Sequence, residues 1–503
     1  MSEADIYDLT VIGGGINGAG IAADAAGRGL KVLLLEAGDL ASGTSSASSK
    51  LIHGGLRYLE HHEFRLVHEA LQEREVLLAK APHLVRPLRF VLPHVPGMRS
   101  KLVLQAGLFI YDHLAQRQKV PGSHVLDLAT DPAGRPLKSE LTSGFEYWDC
   151  WVDDARLVIA NARAAAENGA DIQTRTRMLG ATIQSGRWHV KVQDSSRRVS
   201  TQVTRALVNA AGPWVGQVAD VILDADGARP LTPVRLVKGS HIVFDRIAGA
   251  EAAYLLQSPD RRVVFALPFE QRFTLIGTTD IAFAGDPGTV RISEQETDYL
   301  VGLANRFFRT PLRRSDIRWS FSGVRSLYED GGSDAASVTR DYHLELAAGE
   351  QAPPLLTVLG GKVTTHRRLA EAVMGRLAPY FPTMGRDWTR EAPLPGGELD
   401  AADFDSFLHS LPGRWPRLDP TLLDQLAARH GSRIAAVIGD AETMADMGTQ
   451  LGGRLTQREV EYFKRHEWAR TPEDVLWRRS KAGLHMSARE LANAHQALAA
   501  LLS

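Results

Sequence analysis

The N-terminal 36 residues constrain the fold of this 503-residue chain more than any other part. Apolar runs at 7–12 and 30–36 predict two short buried strands, and the Ala-rich stretch 16–28 predicts a helix between them. The turn before the helix reads Gly-Gly-Gly-Ile-Asn-Gly at positions 13–18, which satisfies G-x-G-x-x-G. In this strand–helix–strand context the motif predicts a Rossmann-type dinucleotide site, whereas a lone match would indicate only a glycine-rich turn.

The glycines and the acidic residue of this unit have separate tasks. Gly13 permits the tight turn, Gly15 lets the backbone approach a pyrophosphate, and Gly18 lets the helix pack closely on the strand. The helix N-terminus offers unpaired N–H groups and a positive dipole end to the anion. Glu36, at the end of the second strand, can accept hydrogen bonds from ribose hydroxyls and would repel a 2′-phosphate.

Two later segments favour FAD over NAD. Residues 206–214 predict a strand that ends in a small-residue turn, and residues 355–366 predict a strand, two glycines and a helix start. Three such segments spread along the chain suit a cofactor bound by a split Rossmann-like domain. The dipole of the last helix would stabilise negative charge on a reduced flavin. Because no second G-x-G-x-x-G unit occurs in this context, we expect electrons to come from the substrate itself.

The bulk properties exclude several classes of function. A formal net charge of -1 gives no global attraction for nucleic acid. The single cysteine, Cys150, excludes an internal disulfide and a cysteine-only cluster, and we predict no metal site. No apolar run reaches the ~18 residues that span a bilayer, and the N-terminus resembles neither a secretory signal nor a transit peptide. We therefore expect a protein that is soluble or lies on a membrane surface.

Composition changes near the end of the chain and in one earlier stretch. After a Pro/Gly-bearing linker near 388–399, the helical periodicity of 400–503 predicts a separate helical domain. Residues 86–119 mix basic side chains with Leu, Val, Phe and Ile. This stretch predicts either a segment in a lipid interface or a buried helical hairpin with snorkelling charges, and the sequence leaves the two alternatives open.

Several long motifs occur in an order that is familiar from one enzyme family. These motifs are Tyr7 to Glu36, Thr44 to Glu60, Phe145 to Leu157, Lys238 to His241, Gly277 to Asp280, Ser322 to Arg325, Thr339 to Tyr342, Gly360 to Lys362 and His466 to Trp468. With them the chain resembles the FAD-dependent glycerol-3-phosphate dehydrogenases of the aerobic, respiratory, bacterial type over nearly its whole length. Two positions depart from the family: Ser326 stands where proline is usual, and His366 where an aromatic is common.

The resemblance implies an α/β fold, α+β overall. It consists of a glutathione-reductase-like FAD-binding Rossmann domain, a β-rich substrate cap domain and a helical C-terminal domain. The oxidoreductase region would span 1–390, and the helical domain 391–503. Within the first region, the FAD domain would comprise about 1–85, 145–230 and 350–390, and the cap and membrane-facing segments about 86–144 and 231–349.

The resemblance also implies an activity. Members of the family oxidise sn-glycerol 3-phosphate to dihydroxyacetone phosphate by hydride transfer to non-covalently bound FAD. They pass the electrons to ubiquinone or menaquinone as monotopic proteins on the cytoplasmic side of the cell membrane. We expect the same substrate, cofactor, acceptor and location here, with no nucleic-acid partner and with a homodimer as a further expectation.

Four cations in turn or glycine contexts are candidates for the substrate phosphate, because a dianion in a partly dry pocket needs two or three of them: Arg57, Arg325, Arg340 and Lys362. The resemblance implies that they line the phosphate pocket and that Tyr58 orients the substrate. His241 is the candidate base for the C2 hydroxyl, and the alternative is that it is a hydrogen-bonded histidine with a purely structural role. Arg325 is the other candidate at the C2 oxygen, as stabiliser of an alkoxide. The sequence does not divide these two roles.

The cofactor contacts that we predict extend beyond the glycine motif. We expect the backbone near His53 to pass close to the isoalloxazine. The full set is Gly13, Gly14, Gly15, Asn17, Gly18, Glu36, Thr44, Ser45, Ser46, Ser49, Lys50, Leu51, His53, Gly54, Gly55, Ala211, Gly212, Trp214, Gly361, Lys362 and Thr364.

Three other functions stay open at this point. A glycerol-3-phosphate oxidase would share the first half-reaction and reduce oxygen instead. An amine or amino-acid oxidase of the same fold would need a carboxylate clamp, and the density of cations better suits a phosphate. A flavin-bearing binding protein without turnover would not need this set of cations and a histidine.

Overall fold

A computed structural model describes residues 6–224, 227–228, 234–258, 262–328, 341–349, 352–401 and 403–503. The strands are β1 Tyr7–Ile12, β2 Val32–Leu35, β3 Leu51–Ile52, β4 Val85–Pro93, β5 His124–Asp127, β6 Ser143–Val152, β7 Asp171–Gln173, β8 Arg177–Gln184, β9 Arg187–Gln193, β10 Val199–Asn209, β11 Ile222–Asp224, β12 Gly227–Ala228, β13 Val234–Asp245, β14 Ala253–Gln257, β15 Val263–Phe269, β16 Phe273–Gly277, β17 Ile281–Ala282, β18 Trp319–Tyr328, β19 His343–Ala347 and β20 Leu355–Leu359. The helices are α1 Ile16–Gly27, α2 Phe64–Lys80, α3 Lys101–His113, α4 Asp154–Glu167, α5 Val215–Ala219, α6 Glu294–Phe307, α7 His366–Leu377, α8 Phe404–Arg414, α9 Pro420–His430, α10 Ile434–Ile438, α11 Gln457–His466 and α12 Ala488–Leu502.

The first sheet contains the predicted Rossmann unit. Strand β1 lies parallel between β2 and β10, β7 extends the sheet beyond β2, and β20 pairs in parallel with β10. All four residues of β2 are buried, as expected for a parallel strand that is covered on both faces. The predicted strand–helix–strand unit at 7–36 is confirmed by β1, α1 and β2. The N-terminal half of β10 continues into an antiparallel extension with β9 and β8.

The second sheet forms the β-rich part of the molecule. Its strand order is β17-β13-β16-β15-β14-β4-β6-β3, with β18 paired to β13 and β5 paired to β6. Successive residues of β13 alternate between two apolar cores, because Ile242 belongs to a cluster with α6 whereas Val243 packs with Phe90 and Phe145. Strand β6 belongs to this second sheet, although most of it falls within the range predicted for the FAD domain. Strand β19 belongs to the first sheet, although its range was predicted for the cap.

The C-terminal helices have an apolar core of their own. Its buried members run from Phe404 on α8 to Leu502 on α12. Aliphatic side chains at helical spacing form it, for example Leu422, Leu423 and Leu426 on α9. With the Rossmann sheet and the β-rich sheet, this helical unit confirms the predicted fold class.

The apolar and basic stretch 86–119 combines a strand with a helix. Strand β4 pairs antiparallel with β6 from Val85 to Pro93, so the alternative of a buried helical hairpin is wrong. Helix α3 follows and exposes one apolar face, made by Leu102, Val103, Phe109 and Ile110. None of the helices in the described ranges combines the length and the hydropathy required to cross a membrane.

Candidate active site

A cavity of about 890 Å³ lies where the two sheets meet. The carboxyl ends of β1, β2, β10 and β20 form one wall, and residues of β13 and β18 form another. Ligands of open parallel sheets bind outside the carboxyl ends of the strands, because helix N-termini and turn N–H groups converge there. The volume lies at the upper end of the range for small-molecule and cofactor sites.

The glycine turn is shaped by two close approaches. Gly13 has a φ of 109°, and a Cβ there would lie 2.6 Å from the carbonyl oxygen of Ala210. A Cβ on Gly18 would lie 1.9 Å from the carbonyl oxygen of Gly13. Gly15 opens α1 and lines the cavity with Asn17, whereas Gly14 and Gly18 do not line it. Only glycine fits these two approaches, and the close contact at Gly18 is with the turn itself rather than with the strand.

Glu36 lines the cavity and is held by the backbone. Its carboxylate accepts a hydrogen bond of 2.7 Å from the N–H of Gly14 and one of 2.6 Å from the N–H of Gly38. Burial raises the pKa of Glu36, and the two hydrogen bonds offset this in part. Each carboxylate oxygen has a second lone pair, so Glu36 retains the capacity to accept from ribose hydroxyls.

Hydrogen bonds join three of the predicted segments at the cavity. The N–H of Ile16 donates to Ser45 Oγ at 2.9 Å, and Asn17 Nδ2 donates to the carbonyl oxygen of Gly360 at 3.1 Å. Asn17 Oδ1 is buried and has no hydrogen-bond partner among the described residues. Gly361 has a φ of 96°, and a Cβ there would meet Asn17 Nδ2 at 2.9 Å. The glycine turn, the Ser-rich loop after Thr44 and the glycine pair after β20 therefore form one polar cradle.

His241 lies on β13 with its ring stacked on Phe321, at 4.8 Å between ring centroids. Its Nε2 lies 3.0 Å from Ser49 Oγ, and its Nδ1 has no hydrogen-bond partner in the described part of the chain. Burial, followed by the charges of Lys50 and Arg325, lowers the pKa of His241 to about 3. The imidazole is therefore neutral at pH 7. A Cβ on Gly277 would lie 2.1 Å from the ring, so that glycine leaves the space it occupies.

Arg325 lies on β18, which pairs with β13. Its Nη2 donates to the Asp280 carboxylate and, at 3.3 Å, to the carbonyl oxygen of Thr279. A Cβ on Gly239 would lie 2.9 Å from Nη2. Gly239 and His241 are two residues apart on one strand, as are Gly323 and Arg325 on the other, so these alternate positions share the face toward the cavity.

Lys362 and Tyr58 meet at the cavity, with the ammonium 3.9 Å from the centroid of the phenol ring. This distance indicates a cation–π contact. Arg57 is half-buried and does not line the cavity. Arg340 lies outside the described residues. Of the four predicted phosphate-binding cations, the structure thus brings Arg325 and Lys362 to the cavity.

Lys50 lies in a different environment from the one predicted. Its ammonium is buried and donates to both carboxylate oxygens of Asp154, at 2.8 and 2.9 Å, and to the carbonyl oxygen of Ser46 at 2.9 Å. It does not line the cavity. The basic side chain in this Ser-rich loop was expected to contact the cofactor, but the structure assigns it to a buried ion pair.

The comparison with known proteins agrees with this geometry. A family model described as "FAD dependent oxidoreductase" matches residues 8–367. The chain belongs to this family. A second model, described as "C-terminal domain of alpha-glycerophosphate oxidase", matches residues 388–503 of this FAD-dependent oxidoreductase.

Individual relatives of this FAD-dependent oxidoreductase are similar over most of their length. Glycerol-3-phosphate dehydrogenase of Pseudomonas aeruginosa is 52% identical, over 96% of this chain and 93% of the relative. D-erythritol 1-phosphate dehydrogenase of Brucella abortus is 50% identical, over 98% and 97%. A solved glycerol-3-phosphate dehydrogenase of Bacillus halodurans, complexed with FAD, is 26% identical with a TM-score of 0.77, over 100% and 95%. The resemblance found in the sequence is confirmed, and FAD is the cofactor.

The residues present fit FAD. The cavity has the required volume, the glycine turn exposes N–H groups at the start of α1, and the orphaned Asn17 Oδ1 offers an acceptor. The predicted residues that line the cavity are Gly13, Gly15, Asn17, Glu36, Thr44, Ser45, Ser49, Leu51, His53, Tyr58, Ala211, Gly212, Trp214, His241, Arg325, Gly361, Lys362 and Thr364. Those described elsewhere than in the cavity wall are Gly14, Gly18, Ser46, Lys50, Gly54, Gly55 and Arg57.

Several residues of the cavity wall had no predicted role. The pairing of Arg325 with Asp280 joins residues 45 positions apart, although both lie in motifs that carried the resemblance. The signal that would have found Gly239 and Gly323 is their spacing, two residues before His241 and Arg325. The lining residues without a predicted role include Gly38, Ser42, Arg177, Gln217, Gly239, Thr278 and Gly323.

Proposed function

We propose that this enzyme oxidises sn-glycerol 3-phosphate to dihydroxyacetone phosphate with FAD and passes the electrons to a membrane quinone, ubiquinone or menaquinone. The observation that carries the proposal is the convergence of Lys362, Arg325 and a neutral His241 on one FAD-sized cavity. The two cations suit a phosphate dianion, and the neutral imidazole suits the removal of a hydroxyl proton. The similarity to two polyol-phosphate dehydrogenases supports this choice of substrate class.

The phosphate is the group that Lys362 and Arg325 would bind. The ammonium beside Tyr58 acts as a compact point charge, whereas the guanidinium offers a planar fork of donors. Asp280 holds this fork from the side, so the remaining N–H groups are oriented before the substrate arrives. Two cations in a partly dry cavity are costly unless an anion compensates their charge. A phosphate supplies that negative charge and a free polyol does not, so the site favours a phosphorylated polyol.

His241 would accept the C2 hydroxyl proton at Nδ1, the ring nitrogen without a partner among the described residues. One of the two cations that lower its pKa, Arg325, is also one whose charge a bound phosphate would offset. Substrate binding therefore makes the imidazole a stronger base when it is needed. Arg325 would stabilise the developing negative charge on the oxygen. FAD held in this cavity would supply the acceptor for the hydride from C2.

Two alternatives have specific observations in their favour. The 50% identical D-erythritol 1-phosphate dehydrogenase makes a four-carbon polyol phosphate a second candidate substrate. The match of residues 388–503 to the C-terminal domain of a glycerophosphate oxidase makes oxygen a second candidate acceptor. Both share the cation and histidine chemistry described above, so experiment must separate them.

An anaerobic titration of the flavin absorbance tests the substrate. We expect glycerol 3-phosphate to bleach the oxidised band completely, erythritol 1-phosphate to bleach it at much higher concentration, and glycerol to leave it unchanged. Lack of bleaching by glycerol 3-phosphate in a protein that holds FAD would contradict the proposal, and faster bleaching by the erythritol compound would favour the second substrate. The reduced enzyme should then reduce a quinone analogue without releasing peroxide in air.

We also propose that the exposed apolar face of α3 attaches the enzyme to the inner surface of the cell membrane. Leu102 is 78% exposed and Phe109 62%, whereas Leu108 and Tyr111 on the other face are buried. Arg99 and Lys101, at the start of the helix, are exposed and basic. A helix with this arrangement lies in a lipid interface, with its cations at anionic head groups.

Sedimentation with vesicles tests this attachment. We expect the protein to co-sediment with anionic phosphatidylglycerol vesicles at low salt, and the variant Leu102→Glu/Phe109→Glu to stay in the supernatant. Val199→Glu is the matched control, because Val199 is 46% exposed on β10, outside α3. The control should bind as the wild type does. A wild-type protein that remains in the supernatant would exclude the attachment.

A further inference from the structure

A single turn of the C-terminal helical unit grips a loop of the dinucleotide site. This π-helical turn, Asp474–Arg479, supplies two arginines to the buried carboxylate of Asp39. Arg479 donates from both terminal nitrogens to the two oxygens, at 2.7 and 2.8 Å, and Arg478 Nε donates at 2.6 Å. Arg479 is completely buried, so this fork fixes the position of Asp39.

Asp39 lies inside the stretch that carries the cofactor contacts. Glu36, Ala37 and Gly38 before it, and Ser42 and Gly43 after it, all line the cavity. The stretch is also tied to the glycine turn, because the N–H of Ala41 donates to the carbonyl oxygen of Gly14 at 3.0 Å. A shift of Asp39 would therefore move Glu36 and the backbone of the glycine turn together.

The same turn holds a second piece of the wall. The Asp474 carboxylate accepts from Arg175 Nη2 at 2.6 Å. The backbone N–H of Arg175 donates to the carbonyl oxygen of Gly38 at 2.8 Å, and the next N–H, of Thr176, donates to that of Glu36 at 2.8 Å. The loop that contains Asp39 and the segment that contains Arg175 both flank Glu36, and both are thus held by this one turn.

We propose that the turn Asp474–Arg479 is a positioning element for FAD: it holds Asp39 and Arg175 so that Glu36 and the glycine turn keep the geometry that binds the dinucleotide. This gives the helical unit a task in cofactor retention. The proposal goes beyond the proposed reaction and is independent of the substrate, because it concerns FAD alone.

The competing explanation is that the turn only clamps the C-terminal helical unit to the FAD-binding part of the chain. A second buried ion pair between these two parts distinguishes the two explanations. Arg156 on α4 pairs with Glu467, at 2.9 Å from Nη2 to Oε1, and neither residue lines the cavity. This pair joins the same two parts of the chain at comparable burial. Glu467 also accepts hydrogen bonds from Arg479, but at its backbone carbonyl oxygen, which a change of its side chain retains. The Arg156–Glu467 pair should therefore contribute to folding and leave cofactor binding alone.

The test measures FAD dissociation from the holoenzyme by flavin fluorescence in a dilution series, with circular dichroism as the check on folding. The variant Asp39→Asn/Arg479→Met removes both charges, so that no buried charge is left uncompensated. We expect its FAD dissociation constant to rise at least about tenfold. The control Arg156→Met/Glu467→Gln should lower the unfolding temperature to a similar degree and keep the constant within about twofold of the wild type.

Two results would overturn the proposal. One is a folded Asp39→Asn/Arg479→Met protein with wild-type FAD affinity, and the other is an equal loss of affinity in the control. If the double variant does not fold, Arg478→Gln decides, because Arg478 is 18% exposed and its loss is milder. We expect this variant to release FAD at a temperature below that of its unfolding, and coincident release and unfolding would exclude the positioning role.

Discussion

Replacing Arg325 by alanine is expected to lower kcat/KM for glycerol 3-phosphate by about a thousandfold while FAD stays bound. The guanidinium lines the cavity beside His241 and is oriented by Asp280, so its loss removes a donor that is preorganised for the substrate. FAD should remain because the glycine turn, Glu36 and Asn17 are untouched. Asp280 is 22% exposed and can be hydrated, so the variant should fold.

Steady-state kinetics and the flavin content per chain are the measurements. Arg318→Ala is the matched control, since Arg318 immediately precedes β18 and forms an exposed ion pair with Asp245. Its activity should stay close to that of the wild type, because exposed pairs contribute little. An Arg325→Ala enzyme with normal turnover would contradict the assignment of this residue to the substrate.

Replacing Lys50 by methionine is expected to lower the free energy of unfolding by about 3–5 kcal/mol. The substitution leaves the fully buried Asp154 carboxylate without its cation, and the hydrogen bonds from the hydroxyl and the N–H of Ser48 do not replace it. Urea denaturation of the holoenzyme gives the magnitude, with the flavin signal recorded in parallel.

The double variant Lys50→Met/Asp154→Asn is the control for this second prediction. It removes both charges, so we expect it to recover more than half of the lost stability. If Lys50 contacted the cofactor instead, Lys50→Met would lose FAD with little change in unfolding, and the second substitution would restore nothing. The two outcomes separate a buried structural pair from a ligand contact.

The sequence predicts most where the chemistry is local. The turn from Gly13 to Gly18 spans six residues, and its function depends on its own backbone and on the flanking strand and helix. Local steric rules suffice for such a feature, so the predicted strand, glycine turn and helix are confirmed.

Long-range pairing accounts for what the sequence does not predict. The partner of Lys50 lies 104 positions away, and that of Asp39 lies 440 positions away at Arg479. No local pattern indicates which of many charged residues will meet in a folded chain. For the same reason Arg57, two residues after Gly55, gave a phosphate-site prediction, although the structure leaves it half-buried outside the cavity wall.

The stretch 86–119 illustrates a second limit. Its mixture of apolar and basic residues fits a helix as well as a strand, and β4 is fixed as a strand by its pairing with β6. The two strands are separated by α3 and β5, so the decisive hydrogen bonds are again remote in sequence.

The parallel pairing of β10 with β20 joins segments that are far apart in sequence, which has a consequence for folding during synthesis. The residues of the cavity wall lie between Ile12 and Thr364 in the sequence. The ion pair of Asp39 forms only after Arg479 has been synthesised. At a translation rate of about 5–20 residues per second, Asp39 is synthesised roughly 20 to 90 seconds before Arg479, which follows it by 440 positions. We therefore expect ribosome-bound fragments that have not yet reached Arg479 to be colourless.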